Sequence, residues 1–141
     1  MHPTLSSALE AICRERDDQK YAESYDAVEA LLDEFGEDRL AERLFDEIPR
    51  TVPFELVAEL FELLAWQTND NGSAIHRVIE EWLIDGSDNR KLLVALNLGA
   101  YPFIDCQQME HVLSALAEKN VRVSARCMDL IRSRSLLGKA P

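Results

Sequence analysis

The sequence predicts an all-α protein, antiparallel helical hairpins stacked as a short α-solenoid of about eight helices, in a chain of 141 residues. Three observations carry that expectation. Apolar residues recur at helical spacing from one end to the other, no stretch alternates as a half-buried strand would, and the five Gly and five Pro fall between the periodic segments. Pro53 to Gln67, PFELVAELFELLAWQ, is the most telling stretch. At ~100° per residue, Leu56, Val57, Leu60, Phe61, Leu63, Leu64 and Ala65 spread over roughly 200° of its circumference, too wide for a surface helix. The rest of the chain is expected to be organised around it, earlier helices on one flank and later helices on the other.

The first helix begins near Pro3 or Thr4 and carries Leu5, Ala8, Leu9 and Ile12 on one face. The polar run RERDDQK, Arg14 to Lys20, either continues it or forms a linker. A second helix runs from Ala22 or Ser24 to Phe35, its buried stripe made of Tyr25, Val28, Leu31, Leu32 and Phe35, with Gly36 placed to end it in a left-handed cap. The third, Asp38 to Ile48, buries Leu40, Leu44, Phe45 and Ile48 and stops before Pro49, while Arg39 and Arg43 largely cancel Glu42, Asp46 and Glu47 on its outer face. Pro53 opens the central helix where a missing N–H is tolerated. TNDNG, Thr68 to Gly72, is a turn, and Ser73 caps a helix to about Ile84 that buries Ile75, Val78, Ile79, Trp82 and Leu83. Asp88 caps the next, through Leu98, and Gly99 to Pro102 turns the chain again. A helix from about Asp105 to Lys119 or Asn120 carries Met109, Val112, Leu113, Leu116 and Ala117. The last uses Val121, Val123, Ala125, Cys127, Met128, Leu130 and Ile131, and the tail beyond, from Arg132 and above all at 135–141, reads as frayed.

Charge narrows the possible functions. The net −11 is uneven: residues 1–70 hold 18 acids against 6 bases, residues 71–141 hold 8 against 9. Affinity for nucleic acid comes mainly from Lys and Arg at phosphates, so direct nucleic-acid binding is not expected and a basic protein partner is the natural complement. Cys13, Cys106 and Cys127 form no short-spaced pair, and three cannot all pair within one chain, which favours reduced thiols in the cytoplasm. The amino terminus has no signal-peptide pattern and no run reaches the length of a membrane span. His2, His76 and His111 are far apart, no HExxH or CxxC spacing offers a metal site, and aligning Gly72 with the glycine of a calcium loop puts Gln67 and Val78 at its end ligands. Cys106 and His111 would point ~140° apart on one helix. No glycine-rich phosphate loop is present. An enzyme is not expected, nor a cofactor or metal.

The second half contains an internal repeat. Ile75, Val78, Ile79, Trp82 and Leu83 match Met109, Val112, Leu113, Leu116 and Ala117, and Asn89-Arg90 through Leu98 match Val121-Arg122 through Leu130, at similar offsets. The phrase NVRVSARCMDLI resembles the second helix of a HEAT repeat, and DNRKLLVALNLG is a looser copy. That resemblance covers 73–134 and implies that Arg90 and Arg122 tie adjacent turns. The domain reading is accordingly one helical domain over 1–141, with divergent helices at 1–52, HEAT-like pairs at 53–134 and a frayed tail at 135–141. In type, size and charge the chain is similar to the small cytoplasmic immunity proteins that protect bacteria from toxins of contact-dependent inhibition systems. What this implies is a binding protein that occludes a cognate toxin, a basic nuclease domain, with its acidic face; the alternative is a non-catalytic helical-repeat adaptor or scaffold.

Two sets of residues are the candidates for that face. On the central helix, Glu55, Glu59, Glu62 and Trp66 fall at about 0°, 40°, 340° and 20°, three acids and a Trp on one line with no base in the helix. Such a stripe repels itself by a few tenths of a kcal/mol per pair. Trp66 is expected as a lid over a neighbouring helix or, alternatively, as an aromatic anchor for a partner. On the second helix, Glu23, Asp26, Asp33 and Glu34 point away from the buried stripe.

Overall fold

The structure is a computed structural model of the chain and describes residues 1–17 and 20–138. These residues form eight α-helices and no strand: α1 Pro3–Glu15, α2 Ala22–Phe35, α3 Leu40–Glu47, α4 Phe54–Gln67, α5 Ser73–Asp85, α6 Asn89–Leu96, α7 Cys106–Lys119 and α8 Val121–Gly138. The protein is all-α. Two compact units divide it, Met1–Val78 and Ile79–Pro141, and the division falls inside α5.

In the first unit α4 packs against both α1 and α2. All seven of its expected core residues are buried, Ala58 with them. From α1 come Leu5, Ala8, Leu9 and Ile12, also buried. The stripe of α2 is displaced by about one residue from the expected one. Ser24, Val28 and Leu31 are buried, Leu32 and Phe35 are half-buried, and Tyr25 is exposed. Ser24 can occupy an inward position because its hydroxyl and its N–H both donate to Glu15 Oε1, at 2.7 and 2.6 Å, so burial leaves neither group unsatisfied. Glu15 Oε2 also accepts the Glu23 N–H at 3.3 Å. The end of α1 therefore caps the start of α2, whose own N-cap residue, Tyr21, makes no side-chain cap bond. The Ser24 hydroxyl, ahead of the two N–H groups, holds the Glu15 carboxyl below its ordinary pKa. Of the polar run 14–20, α1 keeps Arg14 and Glu15; Asp18 and Gln19 lie outside the described residues.

Gly36 ends α2 where expected and with a positive φ of 71°, but its ψ of 173° lies outside the left-handed helical cap that the sequence suggests. Beyond it α3 starts at Leu40, later than its sequence suggests, because Arg39 adopts the left-handed φ of 50°. Arg43 is more than a balancing charge. It donates to the carbonyls of Phe35 at 2.7 Å, Gly36 at 3.2 Å and Asp38 at 2.9 Å, and its guanidinium stands 5.9 Å from the Phe35 ring centroid. It thus satisfies backbone acceptors where α2 gives way to the turn. Phe45, expected in the core, is half-buried, and Ala41 is buried in addition to Leu40, Leu44 and Ile48.

The turn after α4 is held by Asp70, not by Ser73. Asp70 Oδ2 accepts the Ala74 N–H at 3.0 Å, and its Oδ1 accepts the Gly72 N–H and the Thr68 hydroxyl, each at 3.0 Å. Ser73 is already helical and donates its hydroxyl to the Asp70 carbonyl. Only glycine suits position 72, where φ is +79° and a Cβ would lie 2.6 Å from that of Ala65.

In the second unit α7 and α8, which meet at Asn120, pack on each other, and α6 packs on α8. Asp88 caps α6 as expected, through the N–H groups of Arg90 and Lys91, and Asp105 caps α7 through that of Gln107. Val78, Val112 and Ala117 are half-buried rather than core, whereas Ile75, Ile79, Trp82, Leu83, Met109, Leu113 and Leu116 are buried.

Three expectations for α8 are overturned. Its last turns are not frayed: the helix continues to Gly138, and residues 139–141 lie outside the described residues. Arg134 explains the extension. It donates to the carbonyls of Pro102 at 3.1 Å, Phe103 at 2.7 Å and Ile104 at 2.7 Å, and its guanidinium stands 5.5 Å from the Tyr101 ring centroid, while Tyr101 and Ser133 share a hydroxyl hydrogen bond. Secondly, Arg122 is exposed and its side chain makes no bond among the described residues. Arg134 and Arg126 bridge segments in this unit, the latter donating to the Leu96 carbonyl at 3.0 Å. Thirdly, Val121, Ala125 and Met128 are exposed while Val123, Cys127 and Leu130 are buried. Those two trios lie on opposite sides of a helix, so both could not face one core. All three cysteines are free, Cys13 and Cys106 exposed and Cys127 buried, where burial pushes the thiol pKa up to about 11.

Asp70→Ala should cost about 1 kcal/mol at neutral pH, the usual weight of a helix cap. The Asp70 carboxyl is held below its ordinary 3.8, chiefly by the Ala74 N–H. Its contribution is therefore present above that value and lost as pH falls through the lower folded pKa. Denaturant melts of the two proteins should converge in acid; a gap that persists would contradict the cap. Arg134→Ala should lose about 2 kcal/mol and speed amide hydrogen exchange in the last turns of α8, and unchanged protection there would mean that the clamp is not what orders them.

Candidate functional site

Along α2 the acids Asp26, Glu29 and Asp33 stand at i, i+3 and i+7, the spacing of one helix face. Together with Glu37 just past the Gly36 cap, and with Tyr25, Leu32, Gln67 and Asn69, they line an open cavity of about 770 Å³. No Lys or Arg is among the lining residues. Two bonds fix the width of this groove. Gln67 Nε2 donates to the Tyr25 carbonyl at 3.2 Å, and the Glu37 carboxylate receives the Asn69 N–H at 3.1 and 3.3 Å. Among the described residues, Asp26, Glu29 and Asp33 form no ion pair.

Of the four acids that the sequence singles out on α2, the structure brings Asp26 and Asp33 into the groove and takes the other two away. Glu23 pairs with Arg14 at 3.2 Å. Glu34 lies 3.2 Å from His2 Nε2, and His2 is built into the fold: its Nδ1 accepts the Thr4 N–H at the start of α1, its ring meets Phe35 edge-on at 5.0 Å, and its own N–H reaches Glu47. Glu29 and Glu37 are the groove residues that sequence reasoning missed. Glu29 was within reach of it, since it completes the i, i+3, i+7 series. Glu37 was not, because only the turn at Gly36 and the bond to Asn69 carry it there.

The α4 stripe is a second surface of the same unit. Glu55 is exposed, Glu59 and Glu62 are half-buried, and Trp66 is 72% exposed. The lid expectation for Trp66 is overturned, for the apolar arc of α4 is filled by other residues and Trp66 stays on the outward line. Nor is the stripe without a base in space, since Arg16, just past the end of α1, brings its Nε to 2.9 Å from Glu59 Oε1. Glu59 Oε2 is buried without a hydrogen bond. The phenol of Tyr21, just before α2, is held above its ordinary pKa, first by burial and then by the charge of Glu59, with Glu62 contributing. Glu59 and Glu62 are therefore near Tyr21, at the approach to α2.

Carboxylates in this arrangement attract and orient cationic groups. Among the described residues no three His, Cys, Asp or Glu side chains gather as a metal site would require, and no helix is long and apolar enough to cross a membrane. No protein family, no curated protein and no solved structure matches the chain.

Trp66→Ala should change stability by no more than about 0.5 kcal/mol, as for other exposed positions. It should also remove the component of tryptophan fluorescence most accessible to acrylamide, leaving that of buried Trp82. A loss of several kcal/mol would restore the lid.

Proposed function

We propose that the chain is a non-catalytic binding protein whose first unit receives a basic protein surface. The observation that carries this is the groove of Asp26, Glu29, Asp33 and Glu37, four carboxylates with no base among the lining residues. Lone surface acids are commonplace. Acids converging on one concave, hydrogen-bonded groove focus a field that speeds encounter with a positive partner. Beside them α4 offers Glu55, Glu62 and the exposed Trp66, and an exposed Trp is the kind of side chain on which interface energy concentrates.

A partner that binds phosphates has the required positive surface, and acids held where phosphates would sit can occlude it. The similarity in type, size and charge to toxin-immunity proteins favours a nuclease toxin encoded beside this chain as that partner. Arg16 keeps Glu59 as an internal acid, so Glu59 is assigned to the support of the surface and not to contact.

The test is co-purification with the product of the adjacent gene, followed by stopped-flow association. Asp26→Lys/Glu29→Lys/Asp33→Lys should preserve helicity, slow association by roughly tenfold or more at low salt and flatten its salt dependence. Binding at the parent rate would take the groove out of the interface. A neighbouring product that is neither basic nor toxic would favour the adaptor reading.

A further inference from the structure

Two aromatic rings of the chain carry an arginine. Arg43 stands over Phe35, 5.9 Å from the ring centroid, and donates to three backbone carbonyls beside it. Arg134 stands over Tyr101 at 5.5 Å and donates to three more. In each case one guanidinium serves a ring and a set of oxygen acceptors together. Trp66 and Glu62 offer the same two components on the outside of the first unit, without the arginine. Trp66 is 72% exposed, and among the described residues no base or second ring meets it. Glu62 stands one helical turn before it on the same face of α4, and is in no ion pair among the described residues. Arg16, which reaches this line of α4, is held at 2.9 Å by Glu59. Trp66 is also next in the chain to Gln67, whose side chain lines the acidic groove and is bonded to the Tyr25 carbonyl.

We infer that Trp66 and Glu62 take one arginine side chain of the basic partner, its guanidinium over the indole and its N–H groups on the Glu62 carboxylate. This rests on the reading of the groove as the seat of a basic protein surface, and it adds which cation is selected beside that groove. The groove brings four carboxylates and no base to its lining, so a surface drawn to it is rich in Lys and Arg. Of the two, only the planar guanidinium can lie flat on an indole and still present N–H donors in its own plane to a carboxylate. The lysine ammonium is a compact, strongly hydrated charge that must give up more of its water to sit on a ring. Trp and Arg are also the side chains in which interface energy concentrates. The groove therefore supplies attraction that any base satisfies, and the Trp66–Glu62 pair supplies the discrimination.

Calorimetric titration of the full chain with hexa-arginine and with hexa-lysine separates these two contributions, because the peptides carry equal charge. The parent chain should bind hexa-arginine roughly threefold or more tighter. Trp66→Leu should erase that preference, with hexa-lysine affinity and circular dichroism nearly unchanged, whereas Trp66→Tyr should keep part of it. Glu62→Gln should weaken hexa-arginine more than hexa-lysine. In nuclear magnetic resonance spectra the Trp66 indole N–H should shift with hexa-arginine while that of buried Trp82 stays in place. Equal affinity for the two peptides, a preference that survives Trp66→Leu, or no binding of either peptide would each overturn the inference. The groove variant Asp26→Lys/Glu29→Lys/Asp33→Lys tells its failure from that of the groove. Should the triple variant weaken both peptides alike while the parent shows no preference, the groove reading stands and the arginine site falls; should it weaken neither while the Trp66-dependent preference persists, the reverse holds.

Discussion

The first unit is arranged by the need to bury α4. Leu60, Phe61 and Leu64 are wholly inaccessible, and Leu56, Val57, Leu63 and Ala65 nearly so. Each large side chain gains roughly 1.5–3 kcal/mol from leaving water, so no arrangement that exposes one flank of this helix competes. Two neighbours, α1 and α2, pack on it. The one direction left open is the line of Glu55, Glu59, Glu62 and Trp66. Three carboxylates could not have been taken inside without partners, and the one that goes deepest, Glu59, is the one met by Arg16.

The same economy governs the helix ends. Glu15 closes the start of α2, Arg43 the end of it, Asp70 the start of α5, and Arg134 holds the loop that precedes α7. A chain with 26 acids therefore spends several of them internally. Glu15, Glu23, Glu34, Glu37, Glu59 and Asp70 each bond to a base, a histidine or backbone N–H groups. Net charge by itself says little about where a partner would sit. The acids left over on α2, those without an internal bond, are more informative, and Asp26, Glu29 and Asp33 converge on one groove.

Helix number, most helix limits and the burial of α4 were legible in the sequence, because a 3.6-residue apolar period and capping residues are local signals. What was not legible depended on a neighbour. Tyr25 and Ser24 compete for the inward position of α2, and the winner is decided by Glu15, nine residues away. The last turns of α8 look frayed on their own; Arg134 and the 102–104 carbonyls, thirty residues apart, order them. In α8 both faces are apolar enough to pass for a core stripe, so periodicity could not choose between Val121, Ala125 and Met128 on one side and Val123, Cys127 and Leu130 on the other. Of the acids that the sequence singles out on α2, Asp26 and Asp33 line the groove, whereas Glu23 and Glu34 pair with Arg14 and His2, partners from α1 and its approach that no local signal on α2 announces.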